Sequence, residues 1–179
     1  MKNSMEQFIF IALRILAWIL FVGLTIEAGG LLVNFVFSVF GPENVRLLYE
    51  KMDLQHLKQG SAFHYYAVYS LLLFLAVGKS YLFYRLTQLT HHINLTHPFS
   101  EKVVRTLQQI TSSVVSLALV GYVAKDYLRQ IEKWTVLPPQ VGTYLIDPAA
   151  FLVMGAMLTI ISIIFRRGVE LQNENDLTV

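Results

Sequence analysis

The stretch FIFIALRILAWILFVGLTIEAGGLLVNFVFSVF (Phe8–Phe40) decides the fold class of this chain. It is mainly apolar, with interruptions at Arg14, Glu27 and Asn34. A helix needs about 20 mainly apolar residues to cross a bilayer. As one helix, at 1.5 Å per residue, this stretch would reach about 50 Å. It is therefore long enough for one crossing with residues to spare.

The sequence EAGG (Glu27–Gly30) offers a natural break in this stretch. Each of its two adjacent glycines weakens a helix interior by about 1 kcal/mol. We therefore predict a span over residues 8–28, followed by a short apolar helix over residues 31–40 that folds back or lies at the interface. One long tilted helix is the alternative.

Three further stretches are apolar enough to cross a membrane, over residues 62–84, 103–124 and 149–165. The chain is 55% hydrophobic and 15% charged, with a mean hydropathy of +0.52, whereas a soluble domain is about 25% charged. It has no cysteine, which excludes disulfides and thiolate metal sites. The sequence predicts an all-α polytopic membrane protein, a four-transmembrane-helix bundle forming a single domain over residues 1–179.

The basic residues of short loops set the orientation of such a bundle. The larger share lies on the side of the N-terminus, at Lys2, Arg14, Arg85, Lys102, Arg105, Arg166 and Arg167. We therefore predict both termini in the cytosol, with an inner loop over residues 85–102 and a cytosolic tail over residues 166–179. The outer loops then cover residues 41–61 and 126–148.

Ionisable side chains inside a bilayer are functional candidates, because burying them is costly unless they are paired or hydrated. Arg14 and Lys79 lie near predicted cytosolic span ends, where long side chains reach the lipid headgroups. Lys125 and Asp126 lie at the predicted outer end of the third span. All four are interpreted as interfacial.

Glu27 is the strongest intramembrane candidate, with Asn34 two turns further along. The predicted spans put Glu27 and Lys125 at similar depth on the outer side, so the two side chains can pair. A proton or cation site at Glu27 is the competing hypothesis.

The third span is rich in small residues, which let helix backbones approach closely in lipid. They are Thr111, Ser112, Ser113, Ser116, Ala118, Gly121 and Ala124. This helix is therefore predicted either to lie at the centre of the bundle or to form a dimer face.

The outer loops carry two local signals. Val45, Leu48 and Met52 recur at helical spacing, which predicts a short amphipathic helix. Trp134 and Tyr144 are expected to anchor the second outer loop in the headgroup region.

The inner loop contains a helix start. Ser100 is a good N-cap and Glu101 complements the helix dipole. His91, His92 and His97 lie before it, but a metal site usually needs a fourth donor and a recognisable spacing. We interpret them as part of a solvated loop and expect no metal or other cofactor.

The tail GVELQNENDLTV (Gly168–Val179) can continue the fourth helix into water. Arg166 and Glu170 have the i,i+4 spacing of a helical ion pair. Asn173 and Asn175 are weak helix formers and are expected to stop the helix. The terminal Leu177-Thr178-Val179 serves no purpose in a purely solubilising tail, which indicates a binding role.

Two motifs, HPFSEKVVRTLQQI (His97–Ile110) and VELQNENDLTV (Val169–Val179), together with four spans, resemble a bacterial membrane family of unknown function, domain of unknown function 2975. The resemblance implies a bacterial inner-membrane protein. Members of that family are often encoded beside a very small helix-turn-helix DNA-binding protein of the Cro/CI type. This implies a membrane partner that holds or releases a transcription regulator, through Pro98, Phe99 and Ser100 and through Glu174–Val179.

The main functional hypothesis is thus a non-enzymatic adaptor whose cytosolic face binds such a regulator. Its predicted contact residues are Pro98, Phe99, Ser100, Glu170, Glu174, Asn175, Asp176, Leu177, Thr178 and Val179. The alternative is a small oligomeric transporter or proton/cation-coupled channel that uses Glu27. No nucleophile–base pair or phosphate loop is present in the sequence, so we expect no enzyme.

The partners expected besides the regulator are membrane lipid and a second copy of the chain, contacting through the third span. The pI near 8.8 is not interpreted as nucleic-acid binding. In so apolar a protein, a small basic excess serves orientation and lipid headgroups.

Overall fold

A computed structural model of the protein describes residues 2–40, 52–93 and 98–176, and these form helices and connections with no strand among them. The helices are α1 (Lys2–Phe40), α2 (Gln55–Gly60), α3 (Ala62–His92), α4 (Glu101–Ile131), α5 (Val141–Tyr144) and α6 (Pro148–Asp176). Four of them, α1, α3, α4 and α6, account for the four segments long and apolar enough to cross a membrane. The predicted all-α polytopic membrane fold is confirmed.

The first apolar stretch forms one uninterrupted helix. α1 has 39 residues, which at 1.5 Å per residue is about 58 Å. The predicted break at Glu27–Gly30 is therefore wrong, and residues 31–40 extend the first helix. Hydrocarbon contains no water to bind the backbone groups that a break would free. That penalty outweighs the roughly 1 kcal/mol that each glycine costs inside a helix.

The other long helices also run past the predicted span ends. α3 continues to His92 and α6 continues to Asp176, so the predicted stop at Asn173 and Asn175 is wrong. The tail does continue the fourth helix, as predicted. The predicted start of α4 is confirmed as well, because the backbone N–H of Val103 donates to Ser100 Oγ at 3.4 Å.

The chain divides into two compact units, and α1, α3 and α4 contribute residues to both. The first, here the core unit, comprises Gly23–Ser80 and Leu117–Pro148. The second, here the tail unit, comprises Met1–Val22, Tyr81–Ser116 and Ala149–Val179.

The core unit contains a continuous hydrophobic cluster. It combines Ala28, Leu31, Met52, Leu54, Leu57, Tyr65, Val68, Tyr69, Leu72, Ala76, Leu128, Ile131, Val141 and Tyr144. Tyr144 is buried against this cluster, so its predicted role as a headgroup anchor is wrong, whereas Trp134 is exposed. Of the predicted amphipathic helix, Met52 is buried, while Val45 and Leu48 lie outside the described residues.

The small residues of α4 pack closely inside the core unit. Ala118 and Ala124 are fully buried, and a Cβ at Gly121 would meet the side chains of Ile146 and Pro148. The prediction of a closely packed helix is confirmed at these positions. Ser112 and Ser116 are exposed, so the dimer-face alternative remains a prediction for that part of α4.

Candidate functional site

Glu27 forms an ion pair in the core unit. Lys79 Nζ donates to Glu27 Oε1 at 2.8 Å. The Glu27 side chain is 22% exposed and the Lys79 side chain is 14% exposed. Lys79 Nζ also lies 6.0 Å from the centroid of the Tyr144 ring. The predicted pairing of Glu27 with Lys125 is wrong, because Lys79 is the ion-pair partner of Glu27.

The physical reason is the length of the helices. Because α1 ends at Phe40 and α3 ends at His92, Glu27 is a dozen residues from the end of its helix and Lys79 is well inside its own. Lys125 is exposed on α4. Asp126 is also exposed and accepts a hydrogen bond from Gln130 Nε2 at 3.0 Å. Neither residue belongs to a buried polar site.

Asn34 forms a second polar contact in the core unit. It is 1% exposed, and its Oδ1 accepts a hydrogen bond from the Tyr69 hydroxyl at 2.7 Å. The Tyr69 hydroxyl is also 3.3 Å from the Met52 carbonyl oxygen. Among the described residues, Asn34 Nδ2 has no hydrogen-bond partner.

A third contact follows one turn later on α1. Tyr65 donates its hydroxyl to Ser38 Oγ at 2.7 Å, and Lys58 Nζ donates to the Ser38 carbonyl at 3.2 Å. Sequence reasoning missed these tyrosines. The signal was available, since Tyr65 and Tyr69 recur at i,i+4, as do Asn34 and Ser38, which puts each pair on one helix face.

In the tail unit, Arg14 joins α1 to the end of α3. Its Nη2 donates to the Thr90 carbonyl at 2.9 Å, so its guanidinium is held by a backbone carbonyl near the end of α3. His92 Nδ1 lies 3.1 Å from Thr106 Oγ1. No group of three side chains able to hold a metal occurs in the described ranges, and His97 lies outside them.

The inner-loop motif contacts the start of the tail in the tail unit. The Phe99 ring packs edge-on against Phe165, with centroids 5.3 Å apart. It also lies directly on Gly168, where an added Cβ would overlap the ring. Ser100 caps α4 beside it, and Pro98 is half-buried. The inner loop therefore contacts the fourth helix at the point where the tail begins.

Two acidic residues of the tail, Glu170 and Glu174, are exposed. Glu170 accepts from Arg167 Nη1 at 3.0 Å, so Arg167 and not Arg166 is its ion-pair partner. Glu174 is exposed on the last turns of α6. Asn175 and Asp176 belong to the end of that helix, and Leu177, Thr178 and Val179 lie outside the described residues.

The chain was compared with known proteins. The model of a family described as protein of unknown function, DUF2975, matches residues 47–179. This match covers α2 to the end of the chain, including both motifs that are predicted to bind a partner, and leaves out Glu27 and Asn34. No curated protein and no solved structure matches the chain.

Proposed function

We propose, on the premise that this chain belongs to the DUF2975 family of unknown function, that it is a non-enzymatic adaptor of the bacterial inner membrane. Its cytosolic surface combines the inner loop, residues 85–102, with the tail, residues 166–179. This surface binds a small helix-turn-helix regulator of the Cro/CI type and keeps it away from DNA.

One observation carries the proposal, namely the packing of Phe99 on Phe165 and Gly168. It joins the inner loop to the start of the tail, two segments that are distant in the sequence. A partner that contacts the tail helix therefore also meets the inner loop. Gly168 is the residue that permits this approach, because any side chain there would push the Phe99 ring away.

The charge of the tail supports the choice of partner. Beyond Arg166 and Arg167, α6 continues to Asp176 and presents Glu170 and Glu174 to solvent. Carboxylates on an exposed helix complement the basic surface with which a DNA-binding protein contacts phosphates. Because the same basic surface binds both, the adaptor competes with DNA.

The transport alternative has weaker support. A carboxylate that carries protons or cations through a membrane has to be available to them. Glu27 is already held by Lys79 at 2.8 Å, which gives this carboxylate a structural role. We therefore place the functional surface in the tail unit.

Co-purification with the neighbouring helix-turn-helix protein tests the adaptor proposal. Tagged full-length protein in detergent is expected to retain the regulator, and deletion of residues 175–179 is expected to abolish retention. The double change Glu170→Gln/Glu174→Gln is expected to weaken retention by about tenfold, because charge pairs at interfaces are typically worth more than 1 kcal/mol.

The control is Asp126→Asn/Glu132→Gln, which removes two exposed acids from the core unit and leaves the tail intact. It should retain the regulator as the wild type does. Equal recovery of the regulator with and without residues 175–179 would contradict the proposal.

A further inference from the structure

α4 and α6 form the walls of a groove in the tail unit, here called the α4/α6 groove. It contains two cavities of about 270 and 330 Å³, and both are lined by Gln108 and Arg166. The smaller cavity extends toward Thr159, and the larger one toward Asn173. The smaller volume approaches the lower end of ordinary small-molecule sites, about 300 Å³.

Polar side chains line the smaller cavity although both of its walls are candidate membrane spans. Its lining includes Gln108, Thr111, Ser112, Thr159, Ser162 and Arg166. On α6 the three residues are three, four or seven positions apart, and on α4 Gln108 lies three and four positions before Thr111 and Ser112, so each set lies on one side of its helix. Polar groups left against hydrocarbon are costly unless they find hydrogen-bond partners. The groove therefore calls for a polar occupant.

The charges around the groove leave one cation without a counter-charge. Arg105 pairs with Glu101 at 3.1 Å, and Arg167 pairs with Glu170 at 3.0 Å. Arg166, which lines both cavities, has no ion-pair partner among the described residues. In the smaller cavity it is the only charged lining residue, so that cavity is positive.

The hydroxyl groups add hydrogen-bonding capacity. Thr159 Oγ1 donates its proton to the Gly155 carbonyl at 2.8 Å, which uses the hydroxyl proton inside the helix. The donors of Gln108, Ser112 and Ser162 form no hydrogen bond with another side chain of the described ranges. An anion in the cavity would meet a guanidinium together with several neutral donors.

We propose that the α4/α6 groove binds a phosphate group, held by Arg166 with hydrogen bonds from Ser162 and Gln108. A planar guanidinium matches the tetrahedral oxyanion in a two-point contact. The phosphate can come from a phospholipid headgroup or from a soluble phosphate. Arg166 directly follows the apolar run Ile160–Phe165, which is the depth of headgroups, and Ile163 in the cavity wall offers contact to an acyl chain.

Native mass spectrometry of the full-length protein in detergent tests this site. The probes are phosphatidylglycerol, diacylglycerol with the same acyl chains, and inorganic phosphate. Phosphatidylglycerol is expected to bind and diacylglycerol to bind far more weakly. Arg166→Gln should weaken phosphatidylglycerol binding about tenfold, because it removes a charged hydrogen-bond donor.

Arg167→Gln is the matched control, since it removes the same charge from the adjacent position, which is paired with Glu170 and lines neither cavity. It should change the affinity by less than about twofold, as surface pairs contribute little. Ser162→Ala removes only a hydroxyl and should weaken binding about threefold. If circular dichroism and gel filtration show that Arg166→Gln does not fold, the phosphatidylglycerol affinity of Ser162→Ala tests the site instead.

Competition between the probes identifies the source of the phosphate. If millimolar inorganic phosphate displaces phosphatidylglycerol, the ligand is a soluble phosphate. If it does not displace phosphatidylglycerol, the ligand is a lipid headgroup. Equal binding of phosphatidylglycerol and diacylglycerol would overturn the proposal. So would an equal loss of binding in Arg166→Gln and Arg167→Gln. Regulator binding is measured separately, so this site and the adaptor function can fail independently.

Discussion

The core unit and the tail unit differ in where they keep their ion pairs. In the core unit, Asn34 and Ser38 of α1 are buried and bonded to tyrosines of α3, and Glu27 is mostly covered and paired with Lys79. The continuous hydrophobic cluster belongs to this unit as well. Polar contacts between helices are here part of the packed interior.

In the tail unit the ion pairs lie on the surface. Arg105 and Glu101 are 75% and 69% exposed, and Arg167 and Glu170 are 74% and 47% exposed. Each pair links residues of a single helix, so it does not join one helix to another. The difference predicts that removing an ion pair costs more stability in the core unit than in the tail unit.

The largest effect is expected from removing one partner of the core-unit ion pair. Lys79→Met leaves Glu27 without its counter-charge and should lower the free energy of unfolding by about 3 kcal/mol. Adding Glu27→Gln should restore most of that loss, since no unpaired charge remains. Unfolding in mixed detergent–SDS micelles, followed by circular dichroism, measures both. Equal loss in the single and double variants would contradict a pair that acts as a unit.

A smaller effect is expected from the buried tyrosine hydroxyl. Tyr69→Phe leaves Asn34 without its hydrogen bond in a buried position and should cost about 1–3 kcal/mol of unfolding free energy. Tyr66→Phe is the matched control, because Tyr66 is 44% exposed. It should be within about 0.5 kcal/mol of the wild type. If Tyr69→Phe and Tyr66→Phe lower the free energy of unfolding equally in SDS titrations, the buried hydrogen bond between Tyr69 and Asn34 does not stabilise the core unit.

The smallest effect is expected in the tail unit. Arg167→Gln removes an exposed ion pair and should change the free energy of unfolding by less than about 0.5 kcal/mol. The same micelle titration applies, and raising the salt concentration should not alter the result. A loss comparable with that of Lys79→Met would show that the two units do not differ as described.

The fold class was predictable from the sequence because hydropathy reports directly on burial in lipid. The start of α4 was predictable too, since Ser100 and Glu101 act on the first turn of their own helix. The end of α3 was not, because a helix continues into water without an apolar signal, whereas the continuation of α6 into the tail was predicted. Gly29 and Gly30 misled the prediction, because the helix penalty of glycine is known for helices in water. In lipid, a break in the helix would leave backbone groups without hydrogen-bond partners, which costs more.

Pairing between helices was the part that sequence reasoning missed. The prediction matched Glu27 with Lys125 by depth, and the depth depended on span ends that lay about twelve residues short in α1. The contact of Phe99 with Gly168 joins segments with no local signal in common. A glycine directly after Arg166 and Arg167 was the one available sign of a close approach.

The ion pair between Glu27 and Lys79 has a consequence for biosynthesis. The two residues are 52 positions apart, so at about 5–20 residues per second the carboxylate emerges from the ribosome several seconds before the amine. Inserting a lone acid at a helix centre costs about 3 kcal/mol. Until α3 is inserted, the apolar residues of α1 have to offset this cost alone. The α1 segment has the highest mean hydropathy of the four candidate spans, 2.5 against 1.5 for α3. The more hydrophobic helix, α1, is thus inserted first and carries Glu27 into the membrane. When α3 follows, Lys79 pairs with a carboxylate that is already present.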